Sequence, residues 1–314
     1  MVDTESNDCD GSADPIVEAI FDAVAETAPE IRAALPGRRV ESGTDNPSGE
    51  SVMAGDLYAD ELLADALTAV DGVGSFVSEE REAAVDAGGA VGEGAYAVAI
   101  DPLDGSSNLR SNNAMGTVVG VYDAPLPATG RDLVAAGYVL YGPITTMVIA
   151  DDSGVREEVI ERASGGDNTS GVGDKAGVSR SIVEDELTLP ADPVVYGFGG
   201  RVPDWPDDFT AYAREIENEL KLRYGGAMVG DVNQVLIYGG IFAYPALVDA
   251  PDGKLRLSFE ANPIAYIIER AGGAATDGET DILDIEPDGV HDRVPLYVGN
   301  QELVERLDAA LDGS

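Results

Sequence analysis

The sequence predicts a layered α/β protein in two lobes, and three features lead there. Uncharged, β-branched runs in the first half read as strands that deliver acidic residues at their ends. Helical and strand-like runs alternate in the second half. Between them, a Gly/Ser/Asn-rich stretch over residues 163–179 reads as a long surface loop ahead of a division near residue 190. The expected boundaries are a disordered acidic lead-in over 1–13, an N-terminal α+β lobe over 14–190 and a C-terminal α/β lobe over 191–314. A chain of 314 residues can bury a large core, and 44% hydrophobic content places it among globular rather than disordered sequences.

The elements follow in order. Asp14-Pro15 supplies an N-cap and a first-turn proline for a helix with Ile16, Ala19, Ile20, Ala23 and Val24 inward. Residues 38–49 read as loop, and Leu57, Leu63, Ala66, Leu67 and Val70 then recur at helical spacing. Residues 73–77 read as a strand that brings Ser78-Glu79-Glu80 to its end; further strands are expected at about 95–100, 116–122, 133–141 and 144–150. The uncharged run 133–150 is long enough to span a bilayer. Gly142-Pro143 interrupts it, however, so two buried strands around a turn explain it better. In the second half, a strand over 193–198 precedes a helix carrying Phe209, Tyr212, Ile216 and Leu220. A helix with Met228, Val232, Val235 and Leu236 follows, then strands over 241–246 and 255–260. Asn262-Pro263 opens a helix ending at Gly272, and a strand over 296–298 leads to a closing helix from Gln301.

The formal charge is −40, with 59 acidic residues against 19 lysines and arginines. Nucleic acid and anionic membrane are excluded as partners, because both repel such a surface. Lysines number three, Lys175, Lys221 and Lys254, and the acids are spread along the whole length, as in cytosolic proteins of salt-loving microbes. The acidic, polar start carries no secretory signal, so a soluble cytoplasmic protein is expected. One cysteine, Cys9, and one histidine, His291, exclude disulfide frameworks and cysteine-histidine zinc sites and argue against histidine-based triads. Chemistry must then use carboxylates, hydroxyls, arginines and metal.

The most informative run is Asp101-Pro102-Leu103-Asp104-Gly105-Ser106-Ser107-Asn108. A proline stiffens the segment between two carboxylates, and a small Gly-Ser-Ser-Asn beyond them can aim backbone amides at an anion. Hard cations such as Mg²⁺ are bound by carboxylates together with substrate phosphate, so this pairing suits metal-assisted chemistry on a phosphate ester. A lone Asp-Pro-X-Asp-Gly equally suits a helix-capping turn. The acidic partners decide between them: Glu50 with Asp56, Glu79 with Glu80, and Glu260. Each alone reads as a solvated surface acid, whereas brought together they require cations, with two or more Mg²⁺ fitting such a cluster. Arg223-Tyr224-Gly225-Gly226, Tyr244 and Lys254 supply donors for a further phosphate, although singly each reads as packing or exposed charge.

Through these residues the chain resembles class I fructose-1,6-bisphosphatases, of the lithium-sensitive phosphatase superfamily that includes inositol monophosphatases. The resemblance runs from about residue 16 onward and is densest over 222–273, in Arg223-Tyr224-Gly225-Gly226-Ala227-Met228, Tyr238-Gly239-Gly240-Ile241-Phe242-Ala243-Tyr244-Pro245 and Gly253-Lys254-Leu255-Arg256-Leu257-Ser258-Phe259-Glu260. Inositol monophosphatases would carry Trp-Asp where Phe259-Glu260 and Asn262-Pro263 stand here. The resemblance implies a layered α/β/α/β/α sandwich and hydrolysis of fructose 1,6-bisphosphate in gluconeogenesis. The alternatives are a broader inositol or sugar phosphatase, a sedoheptulose bisphosphatase, or a non-catalytic sugar-phosphate sensor. It further implies Glu79, Glu80, Asp101, the Leu103 carbonyl, Asp104 and Glu260 as ligands of two or more Mg²⁺, with Mn²⁺ as the other choice. Asp56 and Glu80 would activate water, and Glu50 stands where the family has a mobile-loop aspartate. Gly105, Ser106 and Ser107 would hold the 1-phosphate. Arg223, Tyr224, Met228, Tyr244 and Lys254 would hold the sugar and 6-phosphate, with Arg201 in place of the family's missing asparagine and tyrosine. The arginine of this pocket comes from a neighbouring subunit in the family, so a homotetramer, or at least a homodimer, is implied. The family's AMP-binding turn has no counterpart around residues 10–20, so strong inhibition by AMP is not expected.

The charge generates a test. Self-repulsion at −40 destabilises the fold in dilute buffer, and added salt shortens the Debye length to about 3 Å near 1 M. Tm and activity are expected to rise together from low salt to molar KCl; maxima of both in dilute buffer would contradict this.

Overall fold

Asp14 starts the first helix, α1 (Pro15–Ala34): its Oδ1 accepts the Ile16 amide at 2.8 Å and the Val17 amide at 3.4 Å. Its other carboxylate oxygen accepts the Tyr96 hydroxyl at 2.7 Å. The buried stripe is Val17, Ile20, Phe21, Val24, Ala25, Ala28 and Ile31, so Ile20 and Val24 face inward as expected while Ile16, Ala19 and Ala23 lie at its margin. Phe21 sets this rotation. Its ring lies over Gly137, where a Cβ would stand 2.6 Å from it. The next helix, α2 (Ala54–Leu67), opens with the Asp56 carboxylate accepting the Met53 amide at 2.7 Å and ends short of Val70.

This computed structural model describes residues 14–49, 51–162 and 177–311. The lead-in 1–13 with Cys9, residue Glu50 and residues 163–176 of the expected loop lie outside the described residues. Early in the chain β1 (Glu41–Asp45) pairs antiparallel with β2 (Ser51–Met53), so a hairpin strand occupies part of the 38–49 segment read as loop. A large sheet follows, built from β3 (Val73–Ser78), β4 (Val85–Asp86), β5 (Tyr96–Asp104) and β6 (Met115–Tyr122). It continues through β7 (Leu133–Tyr141), β8 (Thr145–Asp151), β9 (Gly154–Arg162) and β10 (Val178–Glu184). The spatial order is β10-β9-β8-β7-β6-β5-β3-β4, antiparallel except where β3 lies parallel to β5. Residues 133–150 do form two buried strands around a turn. Strands β9 and β10 were not expected, and β10 begins inside the segment read as loop. Charge hides them in the sequence: Arg156, Glu158 and Arg180 sit within them and are neutralised together with Glu18, Asp22 and Asp151.

The second half supplies β11 (Val195–Phe198), α3 (Asp207–Glu219), β12 (Lys221–Leu222), α4 (Met228–Tyr238) and β13 (Gly240–Tyr244). Then come β14 (Leu255–Arg256), α5 (Asn262–Arg270), β15 (Ala274–Thr276), β16 (Arg293–Val294), β17 (Leu296–Gly299) and α6 (Gln301–Leu311). A second sheet has the order β12-β11-β13-β17-β15, while β14 and β16 form a small ribbon. The expected strand 255–260 is thus short: only Leu255–Arg256 is extended, and Leu257–Ala261 coils into a π-helical turn.

Five layers result. Helices α1 and α2 cover one face of the first sheet, burying Ile20, Phe21, Leu63 and Leu67 against Ile100, Val119 and Ile149. Helices α4 and α5 fill the space between the sheets, where Val232, Ile264 and Ile268 meet Val118, Phe242 and Val298. Helices α3 and α6 close the outer face of the second sheet through Phe209, Ile216, Leu303 and Leu307. This is the α/β/α/β/α arrangement that the sequence implied. It places the ends of β3 and β5, the start of α4 and the π-helical turn around one point.

Candidate active site

In a regular strand, residues three apart point to opposite faces. Asp101 and Asp104 escape this because β5 carries an extra residue between them. Asp101 pairs with Val118 but Asp104 pairs with Gly116, a bulge centred on Pro102-Leu103. The Thr117 hydroxyl fixes it, donating to the Pro102 carbonyl at 2.8 Å and lying 3.0 Å from the Tyr141 hydroxyl. Asp101 Oδ1 accepts the Leu103 amide at 2.9 Å, and Asp104 Oδ2 accepts the Val229 amide at 2.7 Å in the first turn of α4. Gly105 then turns left-handed at φ 73°, and a Cβ there would overlap Ala227, so only glycine lets the Gly105-Ser106-Ser107 turn settle on the start of α4.

Glu260 arrives from the π-helical turn. Its Oε2 accepts the Arg256 amide at 2.7 Å, and the Tyr122 hydroxyl donates to the Ser258 carbonyl at 2.9 Å, anchoring the turn to the first sheet. Buried carboxylate oxygens of Asp101, Asp104 and Glu260 thereby lie within 4.8 Å of one another. Glu79 follows β3, its amide bound to the Ile100 carbonyl at 3.0 Å, and its carboxylate meets the Arg256 guanidinium at 2.9 Å. Burial is the main cause that raises the proton affinity of Asp101, Asp104 and Glu260, reinforced by their mutual charge and, for Asp101 and Glu260, that of Glu79. Burial likewise pushes Glu80 up to about 8, with Asp56 and Glu79 adding to it. Asp56 rises to about 6 through burial, while the Met53 amide and Ser106 hydroxyl oppose the rise.

Such a donor set fits a hard divalent cation. It offers converging buried oxygens, the crowding favours a proton or metal, and Glu80 Oε2 is buried without a hydrogen-bond partner among the described residues. The Leu103 carbonyl belongs to the same buried bulge. Glu50 lies outside the described residues.

The second group of expected residues gathers on the second sheet. The Tyr224 hydroxyl lies 3.4 Å from that of Tyr244, and Lys254 Nζ stands 4.9 Å from the centroid of the Tyr244 ring. Burial first, then the Tyr224 hydroxyl and the Asp104 charge raise the proton affinity of Tyr244, and Lys254 lowers that of Asp104, so this group borders the carboxylates. Arg223 is exposed and makes no ion pair among the described residues. Arg201 is placed differently: 84% exposed, it pairs with Asp204 at 2.7 Å and makes no contact with the tyrosines. Met228 is fully buried in the core between the sheets, its backbone beside Asp104. A surface cavity of about 1050 Å³ bordered by Pro47, Leu257, Ile285, His291 and Val294 contains none of the singled-out residues.

Three features had no mark in the sequence reading. Arg256 is buried among the acids and neutralises part of their charge; its signal was the i, i+2 spacing from Lys254 into a short strand. Asp60, one turn after Asp56, is buried and holds Arg81 at 2.7 Å behind Glu80. Asp231 is buried and accepts the Gly225 and Gly226 amides at 2.6 and 3.1 Å.

Comparison with known proteins matches this architecture. Residues 4–167 match the model of the fructose-1-6-bisphosphatase N-terminal domain, and residues 189–312 that of its C-terminal domain. The chain belongs to the class 1 fructose-1,6-bisphosphatase family. A family member from Natronomonas pharaonis is 57% identical over 295 residues, covering 94% of this chain and 98% of the relative. One from Halobacterium salinarum is 53% identical over 296 residues, covering 94% and 97%. Among solved structures, the fructose-1,6-bisphosphatase of Leishmania major in holo form superimposes with a TM-score of 0.84 at 26% identity, covering 97% of this chain and 96% of that one.

The buried acids generate a pH test. Without metal, Asp56 and Glu80 bind protons more tightly folded than unfolded, at about 6 and about 8 against 3.8 and 4.5. Their contribution to stability is therefore full below about pH 4 and is lost as pH rises through 6–8. A cation replaces those protons, so the Tm gain from saturating Mg²⁺ is expected to grow from pH 6 to pH 8. A gain that is flat or shrinks over this range in calorimetry would count against the acids as its ligands.

Proposed function

We infer that this protein hydrolyses fructose 1,6-bisphosphate to fructose 6-phosphate and phosphate. One observation carries the reading. The buried carboxylates border the Tyr224–Tyr244–Lys254 group, an arrangement that would suit a small sugar carrying two phosphates.

Glu79, Glu80, Asp101, the Leu103 carbonyl, Asp104 and Glu260 would hold two or more Mg²⁺ ions, with Mn²⁺ the alternative. Bound there, such ions supply Lewis-acid polarisation of the phosphoryl oxygens and acidify water. The chain's own residues do the rest. Backbone amides of the Gly105-Ser106-Ser107 turn receive the 1-phosphate. Glu80 would accept the proton of the attacking water, and Asp56, which the Ser106 hydroxyl bonds, would orient that water. Glu50, ahead of Asp56 in the sequence, would stand in for the family's mobile-loop aspartate. Tyr224, Tyr244 and Lys254 bind the sugar's far phosphate, and Met228 backs the ring.

Arg223 completes that pocket on a neighbouring subunit, its exposure leaving it available, which makes the assembly a homotetramer or at least a homodimer. Arg201 serves the same far phosphate only by leaving Asp204. The lobes divide near residue 190. At the start of α1 the Asp14 carboxylate takes the helix amides and the Tyr96 hydroxyl, which leaves that helix start unsuited to the phosphate of AMP. The reaction serves gluconeogenesis in the cytoplasm; no helix among the described residues is long and apolar enough to cross a membrane. High salt is its working medium, in keeping with a charge of −40 and with relatives in halophilic archaea.

Assay of the purified protein on fructose 1,6-bisphosphate with and without Mg²⁺ tests the reading directly. Asp104→Asn is expected to lower kcat by about 10²-fold or more. The fold should be spared, since easing the crowding removes repulsion. Full turnover in this variant, or in the wild type under excess EDTA, would sink the assignment. Arg223→Ala is expected to raise KM for the bisphosphate far more than for a small monophosphate, because only the former has a second phosphate; equal effects would place Arg223 elsewhere.

A further inference from the structure

The segment bearing Arg223 and Tyr224 is held by its backbone rather than by its side chains. Tyr224 is 45% exposed and Arg223 is exposed, so neither is fixed by packing. Upstream, the Arg223 amide donates to the Tyr196 carbonyl of β11 at 2.7 Å. Downstream, the Gly225–Gly226 peptide group is gripped from both sides. Its carbonyl, that of Gly225, accepts Asn108 Nδ2 at 2.9 Å and Asn113 Nδ2 at 2.8 Å, and its N–H, that of Gly226, donates to Asp231 Oδ2 at 3.1 Å. Asp231 Oδ1 also takes the preceding Gly225 amide at 2.6 Å, and Gly226 adopts φ 84° to permit this.

The two asparagines come from the far side of the site. Asn108 ends the Gly105-Ser106-Ser107 turn, its amide bound to the Gly105 carbonyl at 2.8 Å, and its side chain also holds the Ala114 carbonyl at 2.8 Å. Asn112 is the one non-glycine residue with positive φ among the described residues, at 56°. That left-handed turn, which asparagine tolerates, brings Asn113 round until its amide N–H bonds the Asn108 carbonyl at 3.1 Å and its side chain reaches Gly225. The turn that would hold one phosphate and the strand end that would hold the other are thus tied through one peptide.

We propose that Asn108, Asn113 and Asp231 are positioning residues that grip the Gly225 peptide, fix the span between the Gly105–Ser107 turn and Tyr224 of the same chain, and so make the site selective for sugar bisphosphates. This rests on the function inferred above. The grip acts on binding of the distal phosphate and leaves the chemistry at the carboxylates alone. Asn113 is exposed and makes no contact with those carboxylates, so its side chain can be removed without opening the core.

The test compares Asn113→Ala, Asn113→Gln and Asp231→Asn in the full-length protein, with Arg223→Ala alongside. Two quantities are read: KM and kcat for fructose 1,6-bisphosphate, and Ki for inorganic phosphate, which needs only the near turn. Loss of one hydrogen bond to a neutral group corresponds to a few-fold effect, and more where the partner is charged. KM is expected to rise about threefold in Asn113→Ala and about tenfold in Asp231→Asn, with kcat and the phosphate Ki held within about twofold. Asn113→Gln, which keeps an amide donor, should return KM towards the wild-type value. Unchanged KM in both Asn113→Ala and Asp231→Asn, or KM, kcat and Ki moving together, overturns the grip. If Arg223→Ala raises KM while these variants do not, only the grip falls. If the wild type does not turn over the bisphosphate at all, the inferred function falls and the grip with it.

Discussion

Three carboxylates buried within 4.8 Å of one another form the constraint around which the other elements are arranged. In a poorly solvated site such groups cannot all stay charged unless a cation or a proton balances them. They are nevertheless held in place, because each accepts a backbone amide from a different segment. Leu103 in the β5 bulge serves Asp101, Val229 at the start of α4 serves Asp104, and Arg256 at the end of β14 serves Glu260. The acids are therefore fixed by the packing of both sheets and the helices between them. A change that shifts α4 or the π-helical turn acts on the acid cluster before it reaches any substrate.

Arg256 explains how the fold tolerates this arrangement. It is more buried than the acids, pairs with Glu79 and lends its amide to Glu260. Breaking a buried pair by removing one partner costs roughly 3–5 kcal/mol, since the remaining charge is left desolvated. The same guanidinium lowers the proton affinity of Glu80 and Glu260, opposing their burial. It thus keeps the acids nearer to ionisation than burial alone would, which is the condition under which they can bind a cation.

Much of this was legible in the sequence. Uninterrupted apolar runs such as 116–122 and 133–141 specify strands buried on both faces, and they formed with those limits. The Asp101–Asn108 motif stood out because proline and glycine constrain the local backbone, but the bulge that brings its two acids together depends on β6 and on Thr117 and Tyr141. Other features depended on partners far away in the chain. Strands β9 and β10 look polar until Arg156 and Arg180 find Glu18, Asp22, Asp151 and Glu158. The π-helical turn at 257–261 reads as strand because its apolar residues are enclosed from every side by both sheets, which removes the periodicity that would distinguish a coil from an extended run. The inward face of α1 turned on where the Phe21 ring could enter, and that was decided by Gly137 on another element.

The acid excess shapes even the choice of cation. Where the chain needs to cross-link carboxylates it uses arginine: Arg156 and Arg180 bind acids from α1, β8 and β9, and Arg131 reaches Glu269, Asp281 and Asp284 at once. A planar guanidinium with several fixed donors can satisfy two or three acids together, whereas a lysine offers a single hydrated charge. Among the described residues Arg223 and Lys254 make no ion pair, although 59 acids compete for 19 cations; Lys254 lies over the Tyr244 ring, near enough to Asp104 and Glu260 to lower their proton affinity. In so acidic a chain, positive charge left without an acid partner beside the buried cluster is the physical condition for admitting an anion at all.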